Sequence, residues 1–381
     1  MLKAKLMVLS VLTLVYILNK EGFAAVADGW MVKQISNSGY ISTSNDPTLH
    51  ISESNIIWGE KSQVMFYDGN TIKQISDGNN SCSNSQISGK NVVWVENNRI
   101  MFSDGNTVKV ISDSGIYKDY ATPQISGGNI VWVRYESGIP QIMFWDGNDI
   151  TQISRNISIN CGQPQISGTN VVWREDVTNN NYVMKIMSWD GNTRMQIPSS
   201  SNSCSYPQIS GTNVVWVEGN GSGAQIMFWD GTTTSQIGNG SGPKISGTNV
   251  VWLDNNQIMF WDGNIVKQLT ANMKGKNFPS ISGENVVWAE TPTVPVTFIY
   301  FWDGNTATKL AELPGYNHPT SISGTNIALT GLDENYDEQI FLMQPGNTPP
   351  PQPLQGDINK DNIVDFKDLA ILCNDWLKRN Q

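Results

Sequence analysis

The sequence has few of the residues on which metal and thiol chemistry depend. Its 381 residues include 2 His and 4 Cys, and no CxxC pair occurs. These counts leave little for zinc binding or thiol catalysis. Charged residues make up only 15%, and the formal net charge is −10. Because binding to nucleic acid or to an anionic membrane surface needs a basic face, we expect neither partner.

Glycine and tryptophan are abundant instead. The chain has 34 Gly and 14 Trp among its few charged residues. This composition is typical of many short strands joined by tight turns. We therefore expect an all-β chain.

The first 27 residues match the pattern of a secretory signal. Lys3 and Lys5 precede an apolar stretch from Leu6 to Leu18, and residues 25–27 are Ala-Val-Ala, a small-x-small cleavage site. The apolar stretch is short for a membrane span. We expect cleavage before Asp28 and a mature chain without a transmembrane anchor, secreted to the extracellular space or cell surface, or held in the periplasm.

One phrase recurs along the chain: a QISG-like piece, an NVVW element, QIMFWDGN and a strand that ends in QIS. Successive units are 36 to 43 residues apart, and such a period with four β segments per unit is typical of propeller blades. The NVVW element begins at Asn55, Asn91, Asn129, Asn170, Asn213, Asn249, Asn285 and, in degenerate form, Asn326.

Each unit predicts four strands, A to D. In one unit these are residues 124–126, 129–132, 141–145 and 150–153, and Asp146-Gly147 would be the centre of a type I′ turn between C and D. Strands B and C are apolar at nearly every position, which indicates burial on both faces between neighbouring blades.

Most tryptophans fall at two positions of the repeat, the ends of strands B and C. We interpret them as core between blades; an aromatic platform for sugar binding is the alternative. They are Trp58, Trp94, Trp132, Trp173, Trp216, Trp252 and Trp288 on strand B, and Trp145, Trp189, Trp229, Trp261 and Trp302 on strand C.

The ends of the repeat region are complementary. Residues 28–36 match the turn and strand D of residues 68–76, whereas the last unit has strands A to C followed by Pro349-Pro350-Pro351. Proline cannot donate to a strand ladder. We therefore predict eight four-stranded blades, with the N-terminal strand completing the last blade. Seven blades and an irregular end are the alternative.

The ISGxNVVW…QIMFWDG phrase resembles the TolB-like family of β-propeller repeats over residues 28–344. That resemblance implies the propeller fold and little about activity.

The A–B and C–D turns hardly vary between units, whereas the D–A and B–C connections vary strongly. Because variable loops on a rigid scaffold usually carry function, we expect the binding face on the side of the D–A and B–C connections.

A carboxylate stands two residues after most of the strand B tryptophans, and we predict a broken ring at the mouth of the propeller. It would bind cations or a basic partner; the alternative is that strand ends need a polar residue to meet solvent. A repeated ring offers no distinct pair for glycosidase catalysis. The members are Glu60, Glu96, Glu175, Glu218, Asp254 and Glu290, with Arg134 as the exception.

Three cysteines occupy one repeat position, five residues before the isoleucine of strand A. Cys161 and Cys204 belong to adjacent units, so a disulfide between them is sterically possible. The alternative is that both remain unpaired and half-buried.

The C-terminal part has a different composition. Residues 345–355 are a proline-rich linker, and residues 356–381 place oxygen ligands at the spacing of a calcium loop. Ile363 would offer its backbone carbonyl. The predicted Ca²⁺ ligands are Asp357, Asn359, Asp361, Ile363, Asp365 and Asp368.

This segment is similar to one calcium-binding repeat of a dockerin module, which implies a small α-helical, EF-hand-like unit. In that family Phe366 and Lys367 occupy the positions of the partner-recognition pair, and the partner is a cohesin domain. Two features depart from the pattern: Asn362 stands where glycine is usual, and the second repeat is missing.

The sequence supports two functional hypotheses. The first is an exported, non-catalytic binding or scaffold protein, tethered by its Ca²⁺ module to a cohesin-like or surface partner, whose propeller binds protein or glycan. The alternative is a carbohydrate-active enzyme, a glycoside hydrolase or polysaccharide lyase, or an accessory protein in polysaccharide breakdown. Only Asp119, Glu136 and Asp176 are weak blade-specific acidic candidates.

Overall fold

The computed structural model describes residues 25–38, 41, 49–78, 80–112, 116–117, 121–155, 160–178, 183–200, 203–271, 275–276, 279–293, 296–314, 320–333 and 335–346. The chain divides into two compact units, Met1–Gln344 and Pro345–Gln381. Residues 347–355 of the predicted linker, the calcium loop and the α-helical module lie outside the described residues, as do most of the signal segment and Asp119.

Eight antiparallel sheets follow one another along the described chain. Strands A to D of the first four blades are Leu49–Ser52, Asn55–Glu60, Gln63–Tyr67 and Ile72–Gln74 in blade 1; Cys82–Ser88, Asn91–Glu96, Arg99–Ser103 and Val108–Ser112 in blade 2; Gln124–Ser126, Asn129–Glu136, Ile139–Trp145 and Ile150–Gln152 in blade 3; and Cys161–Ser167, Asn170–Asp176, Met184–Trp189 and Arg194–Gln196 in blade 4.

The other four blades repeat this order. Their strands A to D are Cys204–Ser210, Asn213–Glu218, Gln225–Trp229 and Thr234–Asn239 in blade 5; Ser241–Ser246, Asn249–Asp254, Gln257–Trp261 and Val266–Gln268 in blade 6; Ser280–Ser282, Asn285–Thr293, Val296–Trp302 and Ala307–Pro314 in blade 7; and Thr320–Ser323, Asn326–Leu332, Glu338–Pro345 and, for D, Trp30–Gln34 in blade 8.

The eight sheets form a closed ring. Each strand A contacts strand A of the next blade, and strand A of blade 8 contacts that of blade 1, so the A strands surround the central axis. The N-terminal strand Trp30–Gln34 pairs with Glu338–Pro345. Ile35 N donates to Ile340 O at 2.7 Å, and the buried Ser36 hydroxyl donates to Gln339 Oε1 at 2.7 Å. The predicted eight-bladed closure is confirmed, and the seven-bladed alternative is wrong.

The core lies between blades, as the continuous apolar strands predict. The seven strand B tryptophans are at most 1% exposed. One cluster joins Val93 and Phe102 of blade 2 to Trp132 and Trp145 of blade 3, and the corresponding clusters around the ring also combine neighbouring blades. Burying apolar area on both faces of a sheet stabilises the ring at about 25 cal/mol per Å².

The Ser-Gly-x-Asn turn between strands A and B holds adjacent blades together. In blades 2 and 3, for example, Gly127 N donates to Ser88 Oγ at 2.8 Å and Asn91 Nδ2 donates to Gly127 O at 2.8 Å. The same two bonds recur at every junction. Glu53 takes the place of the glycine where blade 8 meets blade 1, with bonds to Ser323 and Asn326.

The turn between strands C and D differs from its prediction. Trp145 pairs with Ile150, so the loop has four residues and Asp146-Gly147 is not a two-residue type I′ turn. Gly147 has φ 104°, but Asp146 is not in the left-handed region. Instead the Asp146 carboxylate accepts bonds from the N–H groups of Asn148 and Asp149, both at 2.8 Å. Aspartate is favoured here because its side chain caps the turn.

Blade 7 carries two additional edge strands. Ala25–Val26 pairs with Ala307–Pro314, with Ala25 opposite Glu312, and Gly275–Lys276 pairs with Asn285–Thr293. Ala25 and Val26 are residues that the sequence assigns to the end of the signal segment. They cover the outer edge of this blade, and Val26 packs against its core cluster.

Candidate functional site

The propeller has two unlike faces. The uniform face carries the A–B and C–D turns, which have one geometry throughout the repeat. The variable face carries the D–A and B–C connections, which differ in length between blades. The candidate carboxylates of the propeller lie at the variable-face end of their blades, where strand B ends. Phe366 and Lys367 lie outside the described residues.

The predicted carboxylate ring is an internal feature of the blades. Glu96, Glu175, Glu218 and Glu290 are at most 3% exposed. In five blades the glutamate accepts a hydrogen bond from the indole N–H of the tryptophan two residues earlier. These pairs are Trp58–Glu60 at 3.2 Å, Trp94–Glu96 at 2.8 Å, Trp173–Glu175 at 2.7 Å, Trp216–Glu218 at 3.2 Å and Trp288–Glu290 at 3.1 Å. A buried indole N–H needs an acceptor, and the glutamate supplies it.

Two blades break this pattern, and their tryptophans show the consequence. In blade 6 Asp254 is one carbon shorter than glutamate, and Trp252 Nε1 donates to Asn239 O at 2.9 Å instead. In blade 3 Arg134 cannot accept a bond, and the buried Trp132 Nε1 has no partner. The repeated acid therefore satisfies the indole of its own blade, and a role in binding a partner remains a prediction.

The most strongly paired of these acids is Glu175 in blade 4. Arg194 on strand D lies 2.8 Å from its Oε1 and also stacks over the Trp173 ring, with 5.8 Å to the ring centroid. In blade 2 the corresponding acid, Glu96, forms no ion pair with Arg99, which lies opposite it on strand C. Burial raises the pKa of Glu96, and the neighbouring Asp77 carboxylate adds to the effect.

The three cysteines of the propeller are buried free thiols. Each lies opposite the acid of its own blade: Cys82 opposite Glu96, Cys161 opposite Glu175 and Cys204 opposite Glu218. Burial raises the pKa of Cys82 and of Cys161 to about 12. Because the thiolate is the reactive form, these thiols are unreactive at neutral pH.

The structure does not join Cys161 to Cys204. Cys161 packs in the core between blades 3 and 4, and Cys204 packs in the core between blades 4 and 5. The sheet of blade 4 therefore separates the two side chains, although their blades are adjacent. The disulfide considered from the sequence is absent for this reason.

Of the weak acidic candidates for catalysis, Glu136 and Asp176 lie in unlike environments, and Asp119 lies outside the described residues. Glu136 is exposed and lies 3.6 Å from Arg134. Asp176 is 1% exposed, and its Oδ1 accepts bonds from the N–H and hydroxyl of Thr178, both at 3.0 Å. Within the described part of the chain no three His, Cys, Asp or Glu side chains form a group that could hold a metal ion.

Sequence reasoning missed three exposed tyrosines on the variable face. Tyr117, Tyr206 and Tyr336 are 54%, 59% and 69% exposed. The other large hydrophobic residues that are exposed in the described chain lie on or next to the outer D strands. The missed signal was that tyrosine departs from the repeat in a D–A connection, at the start of a strand A and in a B–C connection.

Two of these tyrosines have left-handed backbone, which is rare for a bulky residue. Tyr206 has φ 53° at a bulge of strand A in blade 5, and its N–H donates to Gln163 Oε1 of blade 4 at 2.9 Å. Tyr336 has φ 64° in the B–C connection of blade 8. Tyr117 is held differently, edge-on to Tyr135 with ring centroids 5.1 Å apart. Each side chain is exposed to solvent, and the bond to Gln163 ties the backbone of Tyr206 to the neighbouring blade.

The inner A strands, which surround the axis, differ in charge from the acidic chain as a whole. No described strand A contains Asp or Glu. The position two residues before the turn serine is polar in all blades: His50, Gln86, Gln124, Gln165, Gln208, Lys244, Ser280 and Ser321. Burial and the charge of Lys244 lower the pKa of His50 to about 4, and burial lowers the pKa of Lys244. Lys244 is nevertheless exposed to solvent, which is expected where solvent enters a channel that protein surrounds.

Comparisons with known proteins agree with the fold. No family model matches the sequence, and no curated protein matches it. Among solved structures, the chain is similar to the β-propeller domain of the Trilobed protease from Pyrococcus furiosus, with TM-score 0.50, 14% identity and coverage of 74% of this chain and 99% of that one. That domain is described as having an open velcro topology, whereas here the N-terminal strand closes blade 8.

The chain is also similar to a prolyl endopeptidase, with TM-score 0.51, 12% identity and coverage of 81% of this chain. TolB from Acinetobacter baumannii matches with TM-score 0.38 and 16% identity over 66% of this chain. The chain spans 55% of the prolyl endopeptidase and 60% of that TolB chain. For the Trilobed protease domain and the prolyl endopeptidase, the likeness at these identities shows the propeller fold alone. Among the described residues no helix is long and apolar enough to cross a membrane.

Proposed function

We propose that this chain is an exported, non-catalytic binding protein whose variable face binds a protein or glycan partner. The three exposed tyrosines of that face carry the proposal. Tyrosine supplies a large amphipathic contact at low entropic cost and is enriched among the residues that dominate binding energy. The bond from Tyr206 N–H to Gln163 reduces the ordering cost of binding at that residue further.

The acids argue in the same direction. A hydrolase needs two carboxylates in different environments that both reach the substrate. In five blades the repeated acid is bonded to an indole, and Asp176 is buried in its own loop. Since no described residue favours the carbohydrate-active enzyme, the binding function is preferred.

The C-terminal segment would tether the protein. We propose that Asp357, Asn359, Asp361, Asp365 and Asp368, with the carbonyl of Ile363, bind one Ca²⁺, and that Phe366 and Lys367 contact a cohesin-like or surface partner. The support is the ligand spacing in the sequence and its resemblance to a dockerin repeat.

The binding face is tested by pull-down from the organism's own exported proteins and on a glycan array. We expect Tyr117→Ser, Tyr206→Ser and Tyr336→Ser to reduce capture at least 10-fold, singly or together, because interface tyrosines contribute about 2 kcal/mol or more. Ile72→Ser and Val266→Ser, at exposed positions of outer D strands, are the matched controls and should bind normally. Equal loss in both sets would contradict the proposal.

The tether is tested separately by calorimetry on the full chain. Ca²⁺ should give binding heat that Asp357→Ala with Asp361→Ala removes, and a chain ending at residue 344 should give none. Capture of surface partners should then require Ca²⁺ and fail with chelator. If the full chain gives no binding heat, the metal proposal is wrong while the tyrosine face is unaffected.

A further inference from the structure

A cleft of about 220 Å³ lies between blades 4 and 5 on the uniform face. Its walls are mainly apolar and include Ser188, Trp189, Met195 and Trp229. Exposed Asp190 and Thr193 lie at its mouth. The cleft lies at the C–D turn end of the blades. The loops that carry the proposed function lie at the other end, on the variable face.

The repeat explains why the cleft exists. Strand C ends in Met-Phe-Trp in blades 3, 5 and 6 but in Met-Ser-Trp in blade 4. At the neighbouring junctions this phenylalanine packs edge-on against the strand C tryptophan of the following blade. The pairs are Phe102–Trp145, Phe144–Trp189 and Phe228–Trp261, with ring centroids 4.6 to 5.1 Å apart and planes 63° to 68° apart.

Ser188 occupies the phenylalanine position of blade 4. It lies opposite Val172 and Met195, just as Phe144 lies opposite Val131 and Thr151 in blade 3. The tryptophan that the missing ring would contact is Trp229, which lines the cleft. The cleft therefore lies beside the Trp229 indole where the other junctions have a phenylalanine ring.

We propose that this cleft is a binding site for a single aromatic ring of the phenyl or phenol class. The ring would take the place of the absent phenylalanine and lie edge-on to Trp229. A cavity of about 150 Å³ with apolar walls is known to bind benzene in another protein, so the volume is sufficient. Aromatic pairs of this geometry contribute about 0.5–1.5 kcal/mol beyond area burial.

A hydroxyl at the mouth favours a phenol. In four other blades the threonine of the C–D turn donates its hydroxyl to the turn aspartate, as Thr233 does to Asp230 Oδ2 at 2.8 Å. No such bond joins Thr193 to Asp190, whose carboxylate accepts only the N–H groups of Asn192 and Thr193. The Thr193 hydroxyl is thus available to a ligand in the cleft.

The test uses ligand-observed NMR on the full chain with p-cresol, and with N-acetyltyrosine amide to ask whether a ring carried by a peptide also enters. We expect p-cresol to bind and 4-methylcyclohexanol, of similar size but without a π face, to bind roughly 2- to 10-fold more weakly. Binding of p-cresol alone assigns the site to free aromatic compounds. Absence of binding by both aromatic probes would overturn the proposal.

Ser188→Phe restores the repeat residue. It should weaken p-cresol binding at least 10-fold and raise Tm by about 2–4 °C. The matched transfer variant adds Phe228→Ser, which opens the equivalent space against Trp261 and should restore binding at the next junction. Ser188→Leu is a second blocking variant, and it gives a result even if Phe228→Ser unfolds the blade. Undiminished p-cresol binding by Ser188→Phe and Ser188→Leu would exclude this cleft as the site.

Discussion

The two faces of the propeller use repetition differently. On the uniform face, serine and asparagine make the same two bonds at every blade junction, with glycine as the partner at seven junctions and Glu53 at the eighth. On the variable face, the residue two positions after the strand B tryptophan has a different set of partners in almost every blade. Equivalent substitutions should therefore cost similar amounts of stability on the uniform face and different amounts on the variable face.

The largest effect is expected at Glu175. Glu175→Ala leaves Trp173 without its acceptor and Arg194 as an unpaired charge that is largely enclosed. Breaking a buried pair in this way costs about 3–5 kcal/mol. Urea denaturation should show the loss, and Glu60→Ala, at a half-buried acid without a cation, is the matched control with a smaller expected cost of about 1 kcal/mol. Equal costs at the two positions would remove the distinction between them.

A pH dependence should distinguish the axis from both faces. The pKa of His50 is lowered to about 4 in the fold from 6.5, so the unfolded chain binds more protons between these values. Stability therefore falls as pH drops from about 6.5 to about 4, by about 3 kcal/mol from this residue. His50→Gln should flatten the stability profile in that window. A profile that keeps its slope in the variant would show that His50 is not the group responsible.

Single substitutions in the turn network should be nearly interchangeable. Asn129→Ala, Asn170→Ala and Asn249→Ala each remove one bond of 2.9 to 3.0 Å to a glycine carbonyl of the next blade. Each should cost about 1 kcal/mol. Thermal denaturation of the three variants measures this directly, and a spread larger than about 1 kcal/mol would contradict the equivalence of the junctions.

The smallest effect should be a gain. Arg134→Gln places an acceptor two residues after Trp132, whose indole N–H has no partner in the structure. Supplying a bond to a buried donor stabilises by about 1 kcal/mol at most, because the Arg134 bond to Gln141 is lost in exchange. The control is Arg134→Ala, which loses the same bond and supplies no acceptor. If both variants have the same Tm, the indole is satisfied in another way.

Much of the architecture could be predicted from the sequence. The spacing of the NVVW elements gave the number of blades, and the complementary ends gave the closure through Trp30–Gln34, which the structure confirms. Hydrophobic continuity in strands B and C placed the core between blades. These inferences succeeded because period, hydrophobicity and proline act along the chain, where the sequence displays them.

The candidate site was predicted less well. The acids after the strand B tryptophans were expected at the mouth. Glu96 and Glu290, for example, are instead buried and accept a hydrogen bond from the indole of their own blade. The pairing of Cys161 with Cys204 was judged from the adjacency of their blades, but an intervening sheet keeps them apart. The Asp-Gly turn was assigned from a dipeptide, although the aspartate caps a longer loop through its side chain.

The repeat, the order of strands, the number of blades and the strand that closes the ring all follow from the amino-acid sequence. Which groups meet across the blade junctions depends on tertiary packing: Ser88 with Gly127, Phe144 with Trp189, and the space beside Ser188 where a phenyl ring is missing. These partners could not be paired in advance because they lie on neighbouring blades, some 40 residues apart in sequence. A local pattern fixes each blade, whereas contacts between blades depend on how closed sheets pack against one another.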